Sequence, residues 1–210
     1  MANFTRNGYG QVEPNQLSAQ KTGQIFASLP LDADVEVLQN GEFMFYDYAA
    51  GEVSADDSTG VAEPMLVFNE IKLYEPFWRT SYKDFAMIRV GDNYVTSALA
   101  TAGYGDGAET EGVAANPAHT ELPYRMDGIA PRLFKTNVGD IYTTNMVKTG
   151  VEYAVGNKLV PVKNASTNTL VLEKFTPAQT GDKPTGMTWV VVKVYTMPDG
   201  QPGLKLQRVQ

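Results

Sequence analysis

Carboxylates set among aromatic side chains are the residues of this sequence best suited to chemistry. Glu70, Glu75 and Asp84 fall in a stretch that also contains Trp78. One carboxylic acid and one carboxylate are enough to hydrolyse a glycosidic bond, and aromatic rings beside them can stack on sugars. No spacing in this stretch specifies such a pair, however. We therefore favour the interpretation that the aromatic residues build a core and the acids point into water over that of a sugar-cleaving site.

The side chains that most often carry nucleophilic or metal chemistry are scarce. The chain has no cysteine and a single histidine, His119, in the loop segment 117–121. Without cysteine there is no thiolate nucleophile and no zinc–thiolate site. A Ser–His–Asp system needs an oriented imidazole, and no supporting signature surrounds His119. We therefore expect a protein that is not an enzyme and has no catalytic residue, no cofactor and no bound metal.

Two loop patterns are weak candidates for binding ions. Residues 103–107 are rich in glycine, but the acidic residues that follow them would repel a phosphate group. Acids in loops offer the oxygen ligands that calcium prefers, although no calcium-loop spacing is present. Solvated loops are the favoured interpretation of these acids, which are Asp56, Asp57, Asp106, Glu109 and Glu111.

Charge is distributed unevenly along the 210 residues, whose net charge is −7. Residues 1–121 carry 18 acidic and 6 basic side chains, whereas residues 122–210 carry 6 acidic and 11 basic ones. A negative total argues against nucleic acid as a partner, because phosphate affinity comes from basic patches. The two opposite charges indicate either head-to-tail or lateral contact between complementary surfaces, or two merely solvated faces.

Neither a membrane span nor a secretory signal is indicated. The longest strongly apolar run lies near residues 189–192 and is far shorter than a span. The first residues lack the apolar centre of a signal peptide. We expect synthesis in a cytoplasm and no membrane partner.

One turn-and-strand pattern occurs twice. Residues 90–96 and 138–144 share Val-Gly-Asp-x-Tyr-x-Thr. Glycine accepts positive φ and an aspartate carboxylate bonds nearby amides, so Gly-Asp predicts a turn. The alternating Tyr and Thr that follow predict a strand. The repeat indicates an all-β framework that uses this element twice.

Hairpin signals occur on both sides of the chain's midpoint. Asn40-Gly41 between apolar segments predicts a hairpin that leads into the aromatic run 43–46. Polar residues 164–168 predict a turn between two short strands.

The clearest hairpin pairs residues 189–195 with residues 204–209. Strand side chains alternate, so its valines at 190, 192 and 194 are predicted to share one face, matched by the leucines at 204 and 206. We predict an all-β fold, with a β-sandwich or barrel-like domain or domains, an extended N-terminal arm and little helix.

Composition divides the chain into four parts. Residues 1–24 are polar with no sustained apolar period, which predicts an extended N-terminal arm, with a short helix at 15–21 as an alternative. Residues 106–123 are rich in glycine, proline and acids, and they predict a loop or linker. They separate a first β domain at 25–105 from a second β subdomain at 124–210.

Two segments resemble proteins of one known class. Residues 37–53 read Val-Leu-Gln-Asn-Gly-Glu-Phe-Met-Phe-Tyr-Asp-Tyr-Ala-Ala-Gly-Glu-Val, and residues 192–207 read Val-Lys-Val-Tyr-Thr-Met-Pro-Asp-Gly-Gln-Pro-Gly-Leu-Lys-Leu-Gln. In these segments the chain resembles virion structural proteins of tailed bacteriophages, of the capsid decoration (cement) type. The chain is larger than the smallest decoration proteins, which leaves room for a second domain.

The resemblance implies a protein that binds and reinforces a head shell without catalysing a reaction. Its partner would be the major capsid protein lattice, on which decoration proteins sit as homo-oligomers, often trimers, in a virion assembled in the host cytoplasm. A tail-tube or head-fibre component and a carbohydrate-binding β domain are the alternatives. Apolar side chains are what an ordering arm can bury, so the arm residues predicted to anchor the partner are Phe4, Tyr9, Val12 and Leu17.

Overall fold

The computed structural model describes residues 4–6, 10–35, 37–69, 87–89, 130–177, 183–197 and 200–210. These residues form thirteen strands and one short helix. The elements before the 106–123 segment are β1 (Val12–Gln16), α1 (Ser18–Thr22), β2 (Ile25–Phe26), β3 (Val37–Gln39), β4 (Phe43–Asp47), β5 (Glu52–Ser54), β6 (Met65–Val67) and β7 (Met87–Arg89). Those after it are β8 (Leu133–Phe134), β9 (Ile141–Thr144), β10 (Lys158–Asn164), β11 (Thr169–Lys174), β12 (Trp189–Thr196) and β13 (Pro202–Arg208).

Eleven of the strands form one antiparallel sheet, which curls into a half-barrel. Its order is β1-β9-β13-β12-β10-β11-β4-β6-β8-β2, with β5 paired to β4 outside this path, and β3 pairs with β7 in a separate two-stranded sheet. The prediction of an all-β, barrel-like fold with little helix is confirmed.

The two end strands of the sheet, β1 and β2, are neighbours in the chain and are joined by α1. Their partners β9 and β8 are also consecutive. Part of the predicted N-terminal arm is thus built into the sheet. The helix proposed at 15–21 is found at 18–22 instead, because residues 15 and 16 belong to β1. Strands from 25–105 and from 124–210 hydrogen-bond within the same sheet, through β4 with β11 and through β6 with β8. The domain boundaries themselves stay a prediction, because residues 106–123 lie outside the described ranges.

Strand β4 lies between two apolar clusters. Its alternate side chains point to opposite faces, so Phe43 and Phe45 join the larger cluster whereas Met44 and Tyr46 join the smaller one. Burial on both faces explains the continuous Phe-Met-Phe-Tyr run. The larger cluster is centred on Trp189, which is fully buried.

The hairpin of β12 and β13 is present, but the valines of β12 do not all share one face as predicted, because Val190 pairs with Gln207 whereas Val194 pairs with Leu204. Leu204 and Leu206 are fully buried as expected, whereas Trp189 and Val191 are the buried residues of β12. The register shifts between Val191 and Lys193, a β-bulge that re-aims the rest of the strand. The large Trp189 ring takes the inward position and sets the alternation that precedes the bulge.

The Asn40-Gly41 turn is also present, but it does not close a hairpin. The strands on either side belong to different sheets, because β3 pairs with β7 and β4 pairs with β5, β6 and β11. Gly41 has φ +93, and a Cβ there would lie 2.5 Å from Cβ of Met146. This glycine is needed for a close crossing of two segments. By contrast, the 164–168 turn joins β10 to β11 as predicted.

Candidate functional site

The predicted anchor residues of the arm lie within this chain's own packing. Phe4 and Leu17 are buried in the larger apolar cluster, and half-buried Val12 packs against it. Tyr9 lies outside the described residues. The structure thus gives three of the four side chains a role inside the chain, and their assignment to a partner contact stays a prediction.

Phe4 is held by both backbone and ring contacts. Its N–H donates to the carbonyl of Val151 at 2.9 Å, and its carbonyl accepts from the N–H of Gly150 at 2.9 Å. Its ring meets the Tyr153 ring edge to face, with 5.6 Å between centroids. These contacts fix residues 4–6 against the 150–153 segment and direct the next side chains toward a neighbouring cavity.

That cavity is lined mainly by polar and charged side chains. Its volume is about 340 Å³, and it is open to solvent on one side. Arg6 and Glu42 enter it from the N-terminal half, and Met146 enters it from the segment after β9. We call it the Glu42 cavity; its other charged lining residues are Lys148, Lys163 and Glu173.

Glu42 is a carboxylate almost completely removed from water, with 1% of its surface exposed. Its Oε2 accepts from the backbone N–H of Gln39 at 2.7 Å, and its Oε1 accepts from Oγ1 of Thr169 at 3.0 Å. Desolvation disfavours the charged form and raises the pKa of Glu42 to about 7, although both hydrogen bonds and the charge of Arg6 oppose this shift. Glu42 is therefore poised to change its charge near neutral pH.

Arg6 is the cation whose charge acts on the pKa of Glu42. Its guanidinium contacts the thioether sulfur of Met146. Burial lowers the pKa of Arg6, and the charge of Glu42 partly restores it. The two lysines of the cavity have other partners: Lys148 Nζ lies 2.7 Å from Glu173 Oε2, and Lys163 Nζ lies 2.6 Å from Asp56 Oδ2. Arg6 and Glu42 influence each other through their charges, and within the described residues no hydrogen bond or ion pair joins them.

The acidic loop that we considered for calcium is organised by hydrogen bonds to its own chain. Asp47 is buried and accepts from the backbone N–H groups of Ala49, Ala50 and Ser58. Hydrogen bonds from Ser58 and Ala50 lower the pKa of Asp47 to about 2. Asp57 accepts from Thr59 and Ala62 in the same way. Within the described ranges, no three histidine, cysteine or acidic side chains come together as a metal site requires.

The second copy of the repeated turn-and-strand pattern has a structural use. Gly139 has φ +98 in the turn, and residues 141–144 form β9. The Asp140 carboxylate accepts from both the N–H and the Oγ of Ser18, at 3.0 and 2.8 Å, and from the N–H of Asn137 at 2.9 Å. It ties the start of α1 to the turn before β9. The first copy of the pattern, at 90–96, lies outside the described residues.

One stretch of β12 leaves apolar side chains in water. Val192 is 37% exposed and Val194 is 50% exposed. The N–H of Gly156 donates to the carbonyl of Val191 at 2.8 Å. Val155, the residue before Gly156, is 66% exposed. We call Val155, Val192 and Val194 the valine strip.

Two lysines lie near the Tyr195 ring on β12 and β13. The ammonium groups of Lys193 and Lys205 lie 6.0 and 5.9 Å from the centre of that ring. Lys193 pairs with Lys205 and Val194 pairs with Leu204, so this cationic cluster and Val194 are on opposite faces of β12.

Trp189 does not support a sugar site. It is fully buried and its ring meets that of Tyr142 edge to face, with 4.9 Å between centroids. Neither its Nε1 nor the Tyr142 hydroxyl has a hydrogen-bond partner among the described residues. A core role for Trp189 is what the structure supports. The other candidates for sugar or phosphate chemistry lie outside the described residues, and they are Glu70, Glu75, Trp78, Asp84, His119 and the 103–107 segment.

The Glu42 cavity was not predicted from sequence. Its walls come from residues 6, 42, 146–149, 163–167 and 171–173, which only the strand order brings together. The one local signal is the acid in Asn-Gly-Glu42-Phe, because a charged residue between a turn and a run of buried aromatic residues needs partners.

No family model matches the chain, no curated protein matches it and no solved structure matches it. Of the part of the chain that the structure covers, no helix is long and apolar enough to cross a membrane.

Proposed function

We propose that this protein is a non-enzymatic capsid decoration or minor capsid protein of a tailed bacteriophage. It binds the major capsid protein lattice and stabilises the assembled head shell. The observation that carries the proposal is the valine strip, because apolar side chains left in water are a surface that a contact with another protein can bury. The resemblance of residues 37–53 and 192–207 to phage head proteins supports the choice of partner.

The half-barrel suits a reinforcing role. Antiparallel strands share their hydrogen bonds with neighbours on both sides, so the sheet forms a stiff platform. A shell offers many identical binding positions, and a homo-oligomer, trimeric as in the proteins it resembles, engages several of them at once. Avidity then holds the protein on the shell without strong individual contacts. The proposal places the protein on the virion, with assembly in the host cytoplasm.

The test uses head shells of the phage that encodes the chain. The intact protein should sediment with shells, and Val192→Asp/Val194→Asp should stay in the supernatant, because a charge in a desolvated contact is costly. Val61→Asp is the matched control, since Val61 is 86% exposed in the loop between β5 and β6. All three proteins should unfold at closely similar temperatures.

Two results would contradict the proposal. Failure of the intact protein to sediment with shells removes the shell as partner. Equal sedimentation of the double variant removes the valine strip as the contact. Electron micrographs of the purified protein alone supply a further discrimination, because rings or fibres would favour the tail-tube or head-fibre alternative.

A further inference from the structure

Strand β12 extends well beyond the strand that covers one of its two edges. Within the described residues, β10 pairs with β12 only at Trp189 and Val190. Val191 still bonds to the residues just before β10. From there β12 continues to Thr196 against β13 alone. The outer edge of residues 192–196, which we call the β12 edge, therefore has no strand beside it in the described part of the chain.

The backbone of the β12 edge directs hydrogen-bonding groups outward. The N–H of Met197 donates to the carbonyl of Gln201 across the hairpin at 2.8 Å. Successive residues of a strand direct their N–H and C=O groups to opposite sides, so Tyr195 also faces β13. Val194 and Thr196 face the β12 edge, where the described residues offer them no partner. A row of such groups is a template for another strand.

The free edge of β10 is protected against strand addition, in contrast to that of β12. Residues 160–164 pair only with β11 among the described elements. Pro161 has no N–H to donate, and Lys163 is held by Asp56 at 2.6 Å. Proline and lysine are the residues that commonly protect an edge. The β12 edge reads Val-Lys-Val-Tyr-Thr, which has no proline and is rich in strand-forming residues.

The two faces of the β12 edge determine what an added strand must carry. On one face Lys193 lies directly opposite Lys205, and like charges so placed repel each other. Neither lysine has an ion-pair partner among the described residues. On the other face Val194 is 50% exposed. A strand with acidic side chains on one face and apolar side chains on the other would neutralise the lysines and cover the valine.

We propose that the β12 edge binds an extended segment of another protein, with alternating acidic and apolar residues, as a further strand of the sheet. The inference rests on the proposed function for the source of the segment, a subunit of the shell, and it specifies the contact as strand pairing. A second copy of this chain is a poorer occupant, because antiparallel pairing of β12 with itself would bring the lysines of both copies together on one face.

A synthetic peptide tests the site without shells. Acetyl-Thr-Val-Glu-Val-Glu-Val-Thr-amide should bind the intact protein with a Kd of about 1 mM or tighter in an NMR titration. The same peptide with lysine in place of each glutamate should bind at least about tenfold more weakly. Lys193→Glu/Lys205→Glu should reverse this preference, which a loss of folding would not do. Equal affinity for the two peptides would overturn the proposal.

N-methylation distinguishes strand pairing from contact between side chains alone. An added strand directs the N–H groups of alternate residues toward β12. Methylating the N–H groups either of the valines or of the glutamates keeps the side chains and removes one of these two sets. One methylated peptide should bind like its parent and the other should not bind. Equal binding of the two would show that β12 does not pair with the peptide backbone, and the proposal would fail.

Hydrogen exchange on the intact protein locates the contact. With the peptide at about ten times its Kd, the Val194 and Thr196 amides should exchange about tenfold more slowly. The amides of Val191 and Met197 already donate to carbonyls of this chain and should change little. Slow exchange of Val194 without peptide would mean that another part of the chain covers the edge. Slowing with protein concentration alone would mean that a second copy does, and either result would overturn the proposal.

The peptide and shell experiments can fail separately. Peptide binding by a protein that does not sediment with shells supports the strand-addition site and removes the shell as its partner. Sedimentation with shells by a protein that binds no peptide leaves the proposed function standing and overturns strand addition.

Discussion

At the scale of single residues, acidic side chains hold the loops and turns of this protein in place. Asp47 accepts hydrogen bonds from three backbone N–H groups of its loop, and Asp140 accepts them from the N–H groups of Ser18 and Asn137. Glu42 accepts a hydrogen bond from the N–H of Gln39, and its side chain is buried. Hydrogen bonds lower the pKa of both Asp47 and Glu42, but at Glu42 desolvation outweighs them and raises the pKa.

Glu42→Gln should change how stability depends on pH. The pKa of Glu42 is about 7 in the folded protein against 4.5 for the ordinary group, so the unfolded chain releases this proton first. Stability from this group is present below pH 4.5 and is lost as pH rises through about 7, up to about 3 kcal/mol. Urea unfolding at pH 5 and pH 8 should show that the variant gains on the wild type as pH rises. A constant difference would contradict this account.

Asp47→Asn should give the opposite profile. Hydrogen bonds lower the pKa of Asp47 to about 2, so its stabilising effect is present above its ordinary pKa of 3.8 and is lost as pH falls through about 2. The variant should be less stable than the wild type at pH 7, and the gap should narrow at pH 2. The check is the same urea titration, extended to acid.

Gly41→Ala should destabilise the fold far more than Gly51→Ala. Both glycines have positive φ, +93 and +80, so both variants bear a cost of about 1–2 kcal/mol for left-handed backbone. At Gly41 the new Cβ would also lie 2.5 Å from Cβ of Met146, whereas nothing lies within 4 Å at Gly51. Denaturant unfolding should therefore separate the variants by more than about 1 kcal/mol. Equal losses would mean that the crossing at Gly41 relaxes freely.

At the scale of elements, the short helix α1 joins β1 to β2, the two end strands of the sheet. The β1–α1–β2 unit pairs with β9 on one side and β8 on the other. A helix of five residues is too short to be stable by itself, so its order derives from tertiary contacts. Asp140 and the buried Leu17 supply these contacts.

Asp140→Ala should loosen this unit. Three hydrogen bonds to a carboxylate are lost, and we expect about 2–3 kcal/mol less stability. Hydrogen exchange of the Ser18 and Ala19 amides should rise more than that of the β10 and β11 amides. Asp57→Ala is the control, because its similar bonds lie in an exposed loop and its loss should leave α1 unchanged. Uniform acceleration of exchange would mean that the unit does not open separately.

At the scale of the whole molecule, the exposed surface of β12 belongs to the basic part of the chain. Residues 122–210 have five more basic than acidic side chains, and two of them, Lys193 and Lys205, lie near the Tyr195 ring on β12 and β13. If this surface faces acidic groups on the shell, the attraction is screened by salt.

Raising the salt concentration should weaken the proposed binding to shells. Between about 50 and about 500 mM NaCl the screening length falls below the spacing of surface charges, so affinity measured by sedimentation should fall at least several-fold. Lys193→Gln/Lys205→Gln should reduce both the affinity and its salt dependence. Affinity unchanged across this range would leave the valines as the whole contact.

Local patterns in the sequence were sufficient for the class of fold and for several elements. The 189–195 and 204–209 hairpin, the 164–168 turn and the Gly139-Asp140 turn all follow from alternation and turn chemistry within about ten residues. Such signals act through short-range sterics and hydrogen bonds, so they depend little on residues far away in the chain.

Only the tertiary structure decided which faces are buried and what the polar residues do. The bulge after Val191 put Val190 and Val194 on opposite faces, and the crossing at Gly41 sent β3 and β4 into different sheets. The Glu42 cavity joins Arg6 to Thr169 across most of the chain. Strand order brings such distant residues together through many weak contacts made at once, and no window of sequence contains that information.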